Sequence, residues 1–135
     1  RRIVEFIDIY PTLTELANIP TPKEIEGQSL TPLLRDPLSR WNSFAITQVL
    51  RPANSRFETP VMGRSIRSER WRYSDWAEGK HGVELYDHFA DPMEFNNLAI
   101  KPTQGNQKVM KYLRKALARK ASGQIPKTPF NPKRL

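Results

Sequence analysis

Apolar residues recur at intervals of three and four from Ile3 to Ile19, at Ile3, Val4, Phe6, Ile7, Ile9, Leu13, Leu16 and Ala17. That spacing predicts a helix with one apolar stripe. Pro11 interrupts it. It fits if Asp8 caps a second helical segment and Pro11 falls in its first turn, where a missing N–H is harmless. Asn18 suits the left-handed position that closes a helix, and Pro20 and Pro22 prevent continuation. A proline-rich connection over 20–40 holds one short helical turn, Leu30 to Leu34, capped by Ser29 and ended by Asp36-Pro37.

The period then shortens to two. Phe44 to Leu50 is a strand, followed by a loop from Arg51 to Pro60 with Pro52, Asn54 and Pro60 as breakers. Val61 to Trp76 forms two strands, with Met62 and Ile66 on one face of the first and the aromatic run Trp71, Tyr73, Trp76 in the second. Glu78-Gly79-Lys80-His81-Gly82 is a turn, Val83 to Tyr86 returns as a strand, and Asp91-Pro92 turns again. Connections this short imply an antiparallel meander. Helical spacing resumes from Gln107 to Ala121, where Val109, Met110, Leu113, Ala116 and Leu117 make one stripe within a field of Lys and Arg. After Ser122, Gly123, Pro126, Pro129 and Pro132 predict an extended arm. The expected class is α+β: a small antiparallel sheet of about four strands packed with a C-terminal helix and preceded by another helix.

Composition adds that this core is incomplete. The chain has 135 residues, enough for one modest domain, but only 38% are apolar and 12 are proline. Together with a start at Arg1-Arg2-Ile3-Val4, which is neither an initiator methionine nor a signal peptide, this predicts a fragment that finishes its core elsewhere. The absence of cysteine excludes a disulfide, a thiolate metal site and a Cys nucleophile. No apolar run approaches the roughly 20 residues of a membrane span, so no membrane partner is expected.

The net charge of +8 is unevenly placed. Residues 1–100 carry 12 Lys and Arg against 14 Asp and Glu, whereas 101–135 carry 10 cations and no acid. The basic end admits a reading as a non-catalytic polyanion-binding module. The simpler reading docks Val109, Leu113 and Leu117 on the sheet and leaves the charges in water. Nucleic acid is not the expected partner, because Tyr112 and Phe130 are the only aromatics there.

Candidate chemistry is sparse. His81 sits in a glycine-flanked turn and reads as solvated, and His88, after Tyr86-Asp87, reads as a local hydrogen-bonding residue. Gly63-Arg64-Ser65 lacks the closing glycine of a nucleophile elbow, which leaves Ser65 as a strand residue. The arginines at 51, 64, 67, 70 and 72 are the better signal, since guanidinium captures sulfate and carboxylate bidentately. Internal pairing with Glu69, Asp75, Glu84, Asp87 and Asp91 competes for them. Alternation also sets Arg64 and Arg70 on one face, opposite Arg67.

An ordered series of segments points to a family. Asp8-Ile9-Tyr10-Pro11-Thr12-Leu13-Thr14-Glu15-Leu16-Ala17, Glu26-Gly27-Gln28-Ser29-Leu30, Pro32-Leu33-Leu34 and Asp36-Pro37 resemble the C-terminal third of formylglycine-dependent sulfatases. Ile66-Arg67-Ser68, Trp71-Arg72-Tyr73, Glu84-Leu85-Tyr86-Asp87, Asp91-Pro92, Glu94 and Asn97-Leu98 are similar to that family's end. Thr47-Gln48-Val49-Leu50-Arg51-Pro52 and Met62-Gly63-Arg64-Ser65-Ile66-Arg67 most resemble the iduronate-2-sulfatase branch.

The resemblance implies a sulfuric ester hydrolase of the alkaline phosphatase superfamily acting on sulfated carbohydrate such as iduronate-2-sulfate-type glycans, exported to the periplasm or cell exterior. It places the calcium and the formylglycine, which arises within a Cys/Ser-x-Pro-x-Arg motif, upstream of this region. No such motif occurs here, so no catalytic or metal-binding residue is assigned to the chain and residues 1–135 alone should be inert. Residues 1–40 would end the larger α/β catalytic domain, 41–121 would form the C-terminal subdomain, and 122–135 a basic tail. The upstream catalytic domain is the expected partner, with the sulfated sugar at the domain boundary. Gln48, Arg51 and Arg64 are the expected substrate-binding residues.

Overall fold

The computed structural model describes residues 2–41, 44–54 and 57–121. The proposed extended arm over 122–135 therefore lies outside the described residues. The first helical stretch is a 3₁₀ turn, Phe6–Asp8, leading directly into α1, Ile9–Leu16. Pro11 is buried in the first turn of α1, as its missing N–H requires. Asp8 occupies the capping position but does not cap α1 with its side chain. A capping side chain bonds the second or third N–H of the helix, and Pro11, in third place, has none to give. The Asp8 carboxylate instead accepts the N–H groups of Glu5 at 2.8 Å and Gln28 at 3.0 Å, tying the turn to the connection behind it. At the other end, Asn18 takes the left-handed conformation (φ 55°). Its N–H reaches Glu15 O and that of Ile19 reaches Thr14 O, which closes the last turn.

The packing of α1 is inverted relative to its composition. Thr12, Thr14 and Asp8 are buried, whereas Leu13 and Leu16 are 59% and 60% exposed and Phe6 is 88% exposed. The buried side is polar because it serves the connection: Thr12 Oγ1 donates to Asp8 O and accepts the N–H of Leu30. Among the described residues the apolar side is left largely uncovered. α2 spans Thr31–Arg35, one residue later than the pattern predicts, with the Ser29 hydroxyl accepting the N–H of Thr31 at 3.2 Å.

Strands β1 (Ala45–Arg51), β2 (Val61–Arg67), β3 (Trp71–Trp76) and β4 (Val83–Asp87) pair in sequence order as an antiparallel meander. Their register places Ile46, Ile66, Tyr73 and Leu85 in one row across the sheet. Onto that row packs α3, Gln104–Ala121, through Val109, Leu113, Ala116 and Leu117, with Phe44 and Trp71 completing the core. α3 begins three residues before the predicted Gln107, because the Thr103 hydroxyl accepts the N–H of Asn106 and starts the helix there. The outer edge of β4 is partly covered: Asn97 Oδ1 accepts the N–H of Leu85 and the N–H of Leu98 donates to Leu85 O. Glu5 joins the two halves, accepting the N–H of Ile46 at 2.7 Å and pairing with Lys120 of α3.

Candidate functional site

Two residues beyond the core row, on the same face of the sheet, the register aligns Gln48, Arg64, Asp75 and Val83. Apolar side chains give way to charge at this point because the row lies toward the sheet end where β1 and β3 finish and β2 and β4 begin. The β3–β4 turn beside it is unusual. Ala77 and Glu78 both take positive φ (48° and 58°), ahead of Gly79 at 93° and Gly82 at 117°. Left-handed non-glycine residues cost on the order of 1–2 kcal/mol each, so the turn must be held from outside. Trp76 N–H donates to Gly82 O and His81 N–H to Trp76 O, both at 3.1 Å. Arg114 of α3 donates to Glu78 O at 3.0 Å. The His81 ring meets Phe57 edge-on at 5.0 Å.

Between this turn and the residues leading into β2 lies an open cavity of ≈ 360 Å³, with Thr59, Met62, Arg64, Glu78, Lys80 and His81 among its walls. Arg64 is 21% exposed, its Nε 3.6 Å from Asp75 Oδ1 and its Nη2 3.8 Å from Glu78 Oε1. Both separations are longer than a hydrogen bond. Asp75 is only 1% exposed, and its Oδ1 has no hydrogen-bond partner. A buried carboxylate on the neighbouring strand thus holds Arg64 by charge without a hydrogen bond, and Arg64 lines the cavity.

Of the three residues expected to bind substrate, Gln48 and Arg64 are register partners on the α3 side of the sheet. Arg51 is on the opposite face, its guanidinium 4.1 Å above the Trp76 ring. That ring lies over Gly63, where a Cβ would come within 2.5 Å of it, so the stack needs glycine in β2. Alternation along β1 separates Arg51 from Gln48. Sequence reasoning did not select Lys80 or Trp76 for the site, and named Asp75 only as an internal partner of the arginines. The available signal was a turn flanked by Gly79 and Gly82, together with the odd–even phase of β3.

The remaining sheet arginines are committed internally. Arg70 grips Asp87 bidentately at 2.9 and 2.7 Å and lies over Trp71. The Arg70 hydrogen bond holds the Asp87 carboxyl below its ordinary range and raises the guanidinium in turn. Arg72 pairs with Glu94 and stacks over Tyr86, and Glu94 also takes His88. Arg67 donates to the carbonyls of Ser68 and Trp71, and burial lowers its pKa. Ser65 is a strand residue, bonded to Ser74 and to the carbonyl of Tyr73. Among the described residues no group of three or more His, Cys, Asp or Glu could hold a metal ion. No helix among them is long and apolar enough to cross a membrane.

Comparison with known proteins gives a consistent match. Residues 1–123 match the family described as N-sulphoglucosamine sulphohydrolase, C-terminal. A Delta 4,5-hexuronate-2-O-sulfatase of Bacteroides thetaiotaomicron is 38% identical over 96 residues, covering 71% of this chain and 19% of its own length. Arylsulfatase K of Gallus gallus is 32% identical over 123 residues, covering 83% of this chain and 22% of its own. Among solved structures, a 2-O GAG sulfatase superposes with a TM-score of 0.68 at 33% identity, over 87% of this chain and 24% of that one. The chain spans about a fifth of the length of the relatives it matches.

Proposed function

The chain belongs to the sulfatase family, whose C-terminal domain it forms, and we propose that the protein carrying it hydrolyses sulfate esters of carbohydrate. The observation that carries this reading is the ordered match over residues 1–123 to relatives named as sulfatases. The geometry supports a division of labour within such an enzyme. α1 holds an apolar face outward and the sheet end presents cations, as suits a segment that completes a larger domain. Residues 1–40 complete the larger catalytic domain, α1 laying Phe6, Leu13 and Leu16 against it, and 41–121 form the small subdomain. The nucleophile, the metal ion and the chemistry they provide belong to the upstream portion.

The sheet end then forms one wall of the substrate pocket. Arg64 and Gln48 contact a sulfated uronate sugar from the α3 side, and Arg51, stacked on Trp76, contacts it from the other. The iduronate-2-sulfate class is the expected substrate, and export to the periplasm or cell exterior is the expected location. The test is direct. A full-length protein should release sulfate from an aryl sulfate and from a 2-O-sulfated uronide, while residues 1–135 alone should release none. Turnover by 1–135 alone would overturn the division of labour, and inactivity of the full-length protein toward every sulfate ester would overturn the assignment.

A second reading is favoured by the concentration of 10 cations and no acid in residues 101–135: a polyanion-binding module. It predicts heparin retention that falls steeply with salt and is lost when 101–135 is deleted. Unchanged retention after the deletion removes it.

A further inference from the structure

We propose that the cavity between the β3–β4 turn and the start of β2 is a subsite for one acidic sugar unit, with Lys80 and Arg64 holding its sulfate or carboxylate. The proposal rests on the carbohydrate-sulfatase reading for the kind of ligand, but its geometry stands by itself. Three residues with nitrogen donors, Arg64, Lys80 and His81, line one cavity although they come from a strand and a turn. Arg64 is held by the charge of buried Asp75 on the adjacent strand without spending a hydrogen bond on it. Lys80 is exposed and has no ion-pair partner among the described residues.

The walls are not those of a general anion trap. Glu78 and the Thr59 hydroxyl share the cavity, and Glu78 is 72% exposed. A carboxylate repels a bare polyanion yet accepts hydrogen bonds from sugar hydroxyls. Cations for the acidic substituent and acceptors for the ring hydroxyls are the pairing an acidic monosaccharide needs. At ≈ 360 Å³ the cavity is at the small end for ligand sites, a size that suits one sugar ring rather than a chain. The two left-handed residues ahead of Gly79 also have a use here: they turn the chain so that Lys80 and His81 line the same cavity as Arg64.

The test is calorimetric titration of the full-length protein with a monosulfated uronate disaccharide. Its carboxyl-reduced, its desulfated and its fully neutral counterparts are titrated in parallel. Lys80→Ala should weaken the acidic disaccharide about tenfold, while Lys80→Arg, which keeps the charge, should stay within about threefold. The neutral probe should be unaffected by either change. If the Lys80→Ala effect disappears with the carboxyl-reduced probe, the carboxylate is the group held; if it disappears with the desulfated probe, the sulfate is.

Unchanged affinity in Lys80→Ala, equal weakening of the neutral probe, or no binding of the acidic probe by the unaltered protein would each overturn the subsite. Sulfate release measured in the same preparations separates the two readings. Full hydrolytic activity with an inert Lys80 removes only the subsite. Charge-dependent binding without hydrolysis of any sulfate ester removes only the activity.

Discussion

The outward apolar face of α1 makes the sharpest prediction, because one substitution should be costly in one context and nearly neutral in another. Leu13 is 59% exposed in this chain. Fully burying a leucine side chain is worth about 1.5–3 kcal/mol, so covering the remainder against an upstream domain is worth roughly 1–2 kcal/mol. Leu13→Asp removes that gain and also encloses a carboxylate without a partner, an effective penalty of several kcal/mol. Together they should lower the opening free energy of α1 in the full-length protein by at least about 3 kcal/mol, a factor of more than about 100 in the opening equilibrium.

In residues 1–121 alone the same aspartate faces water. Only helix propensity is lost there, about half a kcal/mol. Hydrogen exchange followed by mass spectrometry of the peptide covering Ile9 to Leu16 reads the local opening directly. The expected outcome is strong protection in the full-length protein that collapses with Leu13→Asp, against a change of no more than about threefold in residues 1–121. Leu13→Ala should give an intermediate loss of about tenfold in the full-length protein. Equal effects in the two contexts would refute the docking of α1, as would α1 amides exchanging as fast in the full-length protein as in the isolated chain.

Other positions give independent checks. Gly63→Ala places a Cβ 2.5 Å from the Trp76 ring, and forcing the ring and Arg51 aside should cost about 1–3 kcal/mol. In a Trp76→Ala background the same change should be nearly neutral, a coupling that thermal unfolding of the four proteins would measure. Leu113→Ala opens a cavity at a fully buried core position and should destabilise by about 2–5 kcal/mol in urea unfolding. A loss under about 1 kcal/mol would mean that α3 is not seated as described. For Asp87, the pKa depressed by Arg70 means a stabilising contribution present above the ordinary carboxylate range, near pH 4, and lost as pH falls through the depressed value. Arg70→Ala should therefore flatten the acid limb of the stability curve below about pH 4; parallel limbs for the two proteins would argue against the pair.

Much of the framework was legible because it rests on local periodicities. The α+β class, the meander order and the stripe on α3 follow from spacing alone, and Asn18 closes α1 because few residues other than glycine tolerate that conformation. What resisted reading depended on partners distant in sequence. Asp8 could not be assigned to Gln28, 20 residues away, by any local rule. The buried polar side of α1 is equally opaque, since an apolar stripe predicts a buried face only when the partner surface is present.

The site illustrates the same limit in reverse. The sequence offers Arg51, Arg64, Arg67, Arg70 and Arg72 as anion-binding candidates or internal ion-pair partners, and register distributes them by duty. Arg70 and Arg72 answer Asp87 and Glu94, and Arg67 answers two carbonyls. Arg64 alone among these five lines the cavity, and the acid paired with it across the strands, Asp75, is out of hydrogen-bond reach. Its neighbour there, Lys80, is placed by a turn whose left-handed backbone no composition count would detect. The number of arginines therefore says little about ligand binding in this sheet. The deciding quantity is which cations remain after the internal carboxylates and carbonyls have taken theirs, and that is set by strand phase and by the fold of the β3–β4 turn.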